Sequence, residues 1–406
     1  MNQKKSVILA GDYGYIRQIE TTIKSLCCYH EDLAIYVFNQ DIPQEWFINT
    51  RRKVKGTGND LVDIKLLRDD FRQNWEESTY HHINYMAYAR YFIPEYVKTD
   101  RSLYLDCDLV VTQNLDYLFE LDLEDYYIAA VRATFGLGIG FNSGVMLINN
   151  KRWREENISQ QLVELTDREI ATVLEGDQSI LNMLFGDQYL KLEDSYNFQI
   201  GFDMGASQYG HDFIFDIPLS PLPAIVHYIS ALKPWNLLTN MRLRELWWFY
   251  NDLEWSSIIA SKALKPVDKL DQGLGSVYQK ELLILTNSDA LEKIEELVEV
   301  LPNCLFHIAA YSDMSERLIG LLTHENVRLH RLVLPILLKR LVASCDLYLD
   351  INYDHKFIDF LEFVEEQGKP IFAFDSTQTE GVSERVFAKE SYQEMVEAIL
   401  EFPYQV

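Results

Sequence analysis

The chain is poor in cysteine, poor in positive charge and free of long apolar runs. Its 406 residues hold five cysteines. Cys27 and Cys28 are neighbours, and no pair has C-x-x-C spacing. An odd count at irregular spacing excludes a disulfide framework and a cysteine-built zinc site, and points to a reducing, cytoplasmic setting. Lysine and arginine number 37 against 62 aspartates and glutamates, a formal net charge of −25. That balance speaks against nucleic acid or an anionic membrane surface as the main partner. An anionic substrate would need locally placed cations, or a metal. No apolar run reaches bilayer-spanning length, so no transmembrane segment is expected. The apolar part of MNQKKSVILAGD stops at Asp12, too early for a secretory signal core. The glycine-dense turn 136–144, GLGIGFNSG, lacks G-x-G-x-x-G spacing and does not follow the first strand. It is therefore no dinucleotide fingerprint, and no G-x-x-x-x-G-K-S/T loop occurs.

Apolar residues at 48% and aromatics at 13% describe a well-packed globular chain, too long for one ordinary core. Stretches 6–10, 33–39, 61–66, 127–131, 145–149 and 225–229 read as strands. Ile19, Ile23 and Leu26 share one face of a helix over 16–29. Further helices are expected near 43–52 and over 82–96, 153–174, 177–185 and 243–259. In the last, Trp247, Trp248, Phe249, Tyr250 and Trp255 have the spacing of core packing rather than of a sugar platform. Alternating strands and helices give an α/β fold around a mainly parallel sheet, with ligands at the carboxyl ends of strands. Stretch 261–275 has lysines, Pro266, two glycines and no periodicity. It separates a domain 1–265 from a smaller α/β domain 275–406, where strands recur at 281–286, 305–310, 326–332, 347–351 and 370–374. Asp346, Asp350 and Asp354 in the second domain read as a polar strand end.

Three stretches carry chemistry. In 101–111, RSLYLDCDLVV, Asp106 and Asp108 sit at i and i+2, on one face of a strand. A shared divalent cation would relieve their repulsion; a solvated strand end is the equal alternative. In 227–235, HYISALKPW, His227 and Lys233 could serve a metal and an anion, or be a core histidine and a surface lysine. Arg90 is the single cation in the aromatic run INYMAYARYFIPEY. His81 and His82, adjacent on a helix, would point apart and make a poor metal pair.

Together VILAGDYGY, YARYFIPEY, LYLDCDLVV, FNSGVMLIN, GDQSILN and HYISALKPW resemble, in order, the blocks of the family 8 retaining glycosyltransferases. The resemblance spans about residues 5–260. It implies a GT-A-type Rossmann-like catalytic domain, a UDP-sugar donor and Mn²⁺, with Mg²⁺ as the alternative. It implies Asp106, Asp108 and His227 as metal ligands and Lys233 on the diphosphate. Ala10, Asp12 and Tyr15 would contact the nucleotide, with Cys107 and Ser230 beside it. Arg90, Asn142, Asp177 and Gln178 would line the sugar and the reacting face. Gly14 and Ser230 depart from the family, which often has Asn and usually Gly there; Ser230 could donate a hydroxyl instead. Asp177 has a second reading as the N-cap of its helix. With Gln178 a poor nucleophile, same-face transfer is expected over double displacement.

The two-domain arrangement more loosely resembles bacterial enzymes that extend O-linked glycans on serine-rich adhesins. That implies a UDP-hexose donor, galactose before glucose, an already glycosylated Ser/Thr-rich acceptor protein, and acceptor binding by the second domain. The alternatives are a lipopolysaccharide or other surface-glycan acceptor, a non-catalytic binding partner, and a nucleotidyltransferase. The last usually needs a basic glycine-rich loop where this chain has GDYGY.

Overall fold

The computed structural model describes residues 4–66, 75, 85–134, 140–186, 188–208, 210, 221–239, 241–260, 278–354, 356–383 and 385–402. The chain forms two compact units, 1–235 with 241–273, and 236–240 with 274–406. The expected boundary stretch 261–275, the His81-His82 pair and residues 136–139 of the glycine-dense turn lie outside the described residues.

The first unit holds strands β1 (Lys5–Ala10), β2 (Leu33–Asn39), β3 (Asp60–Lys65), β4 (Ser102–Leu105), β5 (Leu109–Val111), β6 (Ile128–Arg132), β7 (Phe141–Ile148), β8 (Leu190–Lys191), β9 (Phe198–Ile200) and β10 (Ile225–Tyr228). Seven form one sheet in the order β3-β2-β1-β4-β7-β6-β8, and three form another in the order β5-β10-β9. β1, β2, β3 and β4 run parallel, whereas β7 is antiparallel to β4 and β6. The large sheet is buried on both faces, which is why its strands read as near-continuous apolar runs. On one face lies helix Ile16–Tyr29, which buries Ile19, Ile23 and Leu26 as its spacing predicts. Each such side chain contributes roughly 1.5–3 kcal/mol relative to an exposed one. Trp247 and Tyr250 are in the same core. The helix ends where His30 turns extended at φ −127°.

The Asp106–Asp108 stretch is not one strand. Asp106 N donates to Gly144 O on β7 at 2.8 Å, the last bond to the large sheet. Asp108 O accepts from Tyr228 N on β10 at 3.0 Å, the first to the small sheet. The chain changes sheets across these three residues. The backbone left unpaired by the switch is satisfied from helix Ile16–Tyr29. Thr22 Oγ1 donates to Leu109 O at 2.8 Å, and Ser25 Oγ accepts from Val111 N at 3.0 Å.

Other expectations are corrected. Among the described residues of 82–96, Tyr85–Phe92 is a 3₁₀ helix and only Ile93–Tyr96 is α-helical. Arg90 Nε takes the Ala87 carbonyl at 2.8 Å, an acceptor an α-helix would reserve for the amide four residues on. The 153–174 helix is two, Asn150–Glu155 and Ile158–Glu169, parted by Asn157 in the left-handed region at φ 53°. The 243–259 helix is likewise Arg244–Asp252 and Trp255–Ala260. β7 begins at Phe141, so Asn142, Ser143 and Gly144 are strand residues rather than turn.

Among its described residues the second unit forms a six-stranded, wholly parallel sheet: β11 (Lys280–Leu285), β12 (Cys304–Ala309), β13 (Val327–His330), β14 (Leu347–Asp350), β15 (Ile371–Phe374) and β16 (Arg385–Phe387). Their order is β13-β12-β11-β14-β15-β16, with an apolar core on each face. Asp350 is no solvated strand end. It is wholly buried and ion-paired with Lys356 at 2.5 Å, and Thr379 Oγ1 donates to it at 2.8 Å. Among the described residues, no helix is long and apolar enough to cross a membrane.

Candidate active site

The sheet switch brings Asp106 and Asp108 to a corner, and β10 carries His227 to the same corner, in register with Leu109. One ligand atom from each of Asp106, Asp108 and His227 lies within 4.8 Å of the other two. His227 Nε2 is 3.1 Å from Asp108 Oδ1 and 3.8 Å from Asp106 Oδ2. Ligands of one divalent cation, bonded at about 2.0–2.6 Å, have such separations. Two hard oxygens and one imidazole nitrogen suit Mn²⁺ or Mg²⁺ better than a structural zinc. The three residues thus fit the expected metal.

Gly144 is what lets them converge. A Cβ there would stand 2.2 Å from His227 Cε1 and 2.6 Å from Asp106 Oδ2. Lys233 Nζ lies 2.6 Å from Asp108 Oδ2 and donates to Tyr228 O at 2.6 Å. Burial works to raise the Asp108 carboxyl, but Lys233 and His227 outweigh it and hold it well below the usual carboxylate range.

Arg90 is buried behind the acids. Its Nη2 donates to Asp106 Oδ1 at 3.0 Å and its Nη1 to Ser143 O at 2.6 Å. Its guanidinium lies 4.3 Å from the centre of the Tyr104 ring, whose hydroxyl also donates to Asp106 Oδ1, at 2.7 Å. Arg90 Nε is 3.1 Å from Asp177 Oδ2, a pairing of charge without hydrogen-bond alignment. The Asp177 carboxyl is pushed up to about 6 by burial, with Arg90 opposing and Asp106 adding. Asp177 is not the N-cap of its helix. Gly176 is, at φ 53°, and Asp177 is the first helical residue.

Asn142 and Gln178 are hydrogen-bonded, Asn142 Nδ2 donating to Gln178 Oε1 at 3.0 Å. Two residues the sequence did not single out continue this chain. Gln178 Nε2 donates to Glu175 Oε2 at 3.1 Å, and buried Asn197 lies between Asn142 and His227, 2.8 Å and 2.9 Å from them. Asn197 stands in the plain stretch DSYNFQI and carries no local signal.

The expected nucleotide side is less completely assembled. Ala10 ends β1, and its carbonyl accepts from Cys107 Sγ at 3.1 Å. Asp12 and Tyr15 follow in a 3₁₀ turn. Burial pushes the Tyr15 phenol up to about 12, and Asp108, Cys107 and Asp12 add to this. Ser230 Oγ donates to Leu232 O at 2.7 Å, so its hydroxyl is engaged with backbone.

A profile described as Glycosyl transferase family 8 matches residues 6–239, and one described as GftB/GlyA-F C-terminal domain matches residues 282–404. Glycosyltransferase GlyE of Streptococcus pneumoniae serotype 4, strain TIGR4, is 52% identical over 386 residues, or 94% of each chain. The crystal structure of GlyE from the same strain gives a TM-score of 0.58 at 49% identity, covering 99% of this chain and 100% of that one. The crystal structure of LgtC, a galactosyltransferase in complex with donor and acceptor sugar analogues, is alike in fold. It has a TM-score of 0.52 at 24% identity, covering 61% of this chain and 95% of that one.

Proposed function

We propose, for a chain that belongs to glycosyl transferase family 8, the transfer of a hexose from a UDP-sugar, with retention, to a sugar already carried on a Ser/Thr-rich protein. Membership makes the chain a glycosyltransferase, and its first unit has the GT-A-type α/β fold. Galactose is the preferred hexose, glucose the alternative, and the cytoplasm the proposed site of action.

The reading rests on the convergence of Asp106, Asp108 and His227 with Lys233 at their edge. These three residues would hold Mn²⁺, or Mg²⁺, which when bound neutralises charge on a leaving diphosphate. Lys233 adds a point charge on the same side. Arg90 fixes Asp106 from behind, so one of its carboxylate oxygens is already oriented. Asp177 is joined to Asp106 through Arg90, and Asn142 and Gln178 to His227 through Asn197; the sugar would lie against these residues. The burial of Asp177 against Arg90 favours same-face transfer, and a sugar adduct trapped on Asp177 would overturn that choice.

Acceptor binding is assigned to the second unit. A cavity of about 420 Å³ there is lined by Tyr311, Phe357, Phe360 and Phe363, with Lys339 and Asp359 at hand. Aromatic faces take the apolar C–H face of a pyranose, and charged neighbours take its hydroxyls.

A panel of UDP-sugars assayed with Mn²⁺, for hydrolysis and for transfer to a glycosylated Ser-rich peptide, tests both parts. Asp108→Asn should lower hydrolysis and transfer alike, by about 100-fold or more. Phe360→Ala should lower transfer and spare hydrolysis. An active Asp108→Asn sinks the metal site. Equal loss of both reactions in Phe360→Ala sinks the acceptor assignment.

A further inference from the structure

We infer that Asn197 is a positioning residue that dictates which nitrogen of His227 faces the cation; this rests on the metal reading above. The assignment follows from backbone groups whose roles are fixed. Gly144 N–H can only donate, and it lies 3.1 Å from Asn142 Oδ1, so that atom is the amide oxygen. The same oxygen faces Asn197 at 2.8 Å, so Asn197 presents its NH₂ there. Asn197 therefore turns its oxygen to His227 Nδ1, 2.9 Å away. An amide oxygen only accepts, so Nδ1 carries the hydrogen. Nε2 lies 3.1 Å from Asp108 Oδ1, a carboxylate that only accepts, so without metal it donates there; a cation held by Asp106 and Asp108 would replace that one proton and meet the Nε2 lone pair. A second fixed donor agrees. Ser143 N–H lies 3.1 Å from Gln178 Oε1, which makes the Gln178 group an acceptor and Asn142 Nδ2 its donor. Both ends of the Asn142 amide are thus set by adjacent backbone amides of β7.

The cost of losing this partner follows from its burial. Asn197 is 1% exposed and His227 2% exposed, so water cannot readily replace the bond. Without an acceptor at Nδ1, His227 can rotate or adopt the other tautomer, which turns an N–H toward the cation.

The test uses the full chain, with Mn²⁺ affinity by calorimetry and the His227 ring nitrogens by NMR in Mg²⁺-loaded protein. Wild type should show Nδ1 protonated and Nε2 free. Asn197→Leu should lose that signature and bind Mn²⁺ about 10–100-fold more weakly. Asn197→Asp keeps an acceptor at Nδ1 and should keep the tautomer signature, although it sets a second acceptor against Asn142 Oδ1, so it is read by NMR rather than by affinity. Glu175→Gln, at the far end of the chain, should change neither, because the anchor is Gly144 N–H. Nε2 protonated in the loaded wild type, or unchanged affinity and tautomer in a folded Asn197→Leu, overturns the inference. No Mn²⁺ or Mg²⁺ binding by wild type sinks the metal reading itself.

Discussion

Gly144→Ala is the sharpest single test of the site. The added methyl would lie 2.2 Å from His227 Cε1 and 2.6 Å from Asp106 Oδ2. Non-bonded carbons settle at about 3.5–4.0 Å, so His227 or β7 must retreat by roughly 1.5 Å. β7 is held by its register to β4, where Val145 pairs with Leu105, and by the bond from Asp106 N. The imidazole is the part that gives. Metal–ligand distances tolerate only about 0.2 Å, so a shift of that size removes one ligand. Misplacement by about 1 Å costs on the order of 100-fold in rate, or ~2.7 kcal/mol. Overpacking should add a stability loss of about 1–3 kcal/mol. Mn²⁺ titration, UDP-sugar hydrolysis and urea unfolding read the three effects separately. Gly205→Ala is the control. Gly205 lies in helix Asp203–Gln208, where an added methyl would meet nothing within 4 Å, and alanine there should stabilise by up to ~1 kcal/mol. Wild-type Mn²⁺ affinity and hydrolysis in Gly144→Ala would refute the argument.

Two more outcomes are expected. Arg90→Met leaves Asp177 and Asp106 without their buried partner and should cost about 3–5 kcal/mol in urea unfolding, with Arg90→Lys recovering only part; a loss under about 1 kcal/mol would contradict it. Asp177, pushed up to about 6 in the folded chain, binds its proton more tightly there than when unfolded. Its contribution is therefore full below about pH 4 and is lost as pH rises through about 6, an effect of roughly 3 kcal/mol. The stability difference between wild type and Asp177→Asn, measured with chelator across that range, should follow this course; a flat difference would show that the carboxyl is not raised.

The convergence of Asp106, Asp108 and His227 was legible because their residue types and order stand in short blocks such as LYLDCDLVV and HYISALKPW. Arg90 stood out as one cation in an aromatic run, and its burial among Tyr104, Asp106 and Asp177 accounts for that isolation. The sheet switch was hidden because apolar residues flank both acids, and each of the two sheets demands the same pattern. Asn197 was hidden for a different reason: its partners lie 30 and 55 residues away, and nothing local requires an amide. In the second unit, β16 escaped notice because it is three residues long and largely exposed, with Arg385 and Val386 facing solvent. An edge strand of that kind carries no apolar period.

The change of sheets at Asp106–Asp108 has a mechanical consequence. Asp106 is suspended from the seven-stranded sheet, whereas Asp108 and His227 hang from the three-stranded one. A cation gripped by all three would be a rivet between two plates whose shortest covalent tie is Cys107. Shear of one plate on the other by an ångström would loosen the rivet, and fastening it would resist that shear. Metal affinity would then gauge how firmly the two sheets are held, and a packing defect beneath either, such as at Thr22 or Ser25, should register first as a weaker grip on the ion.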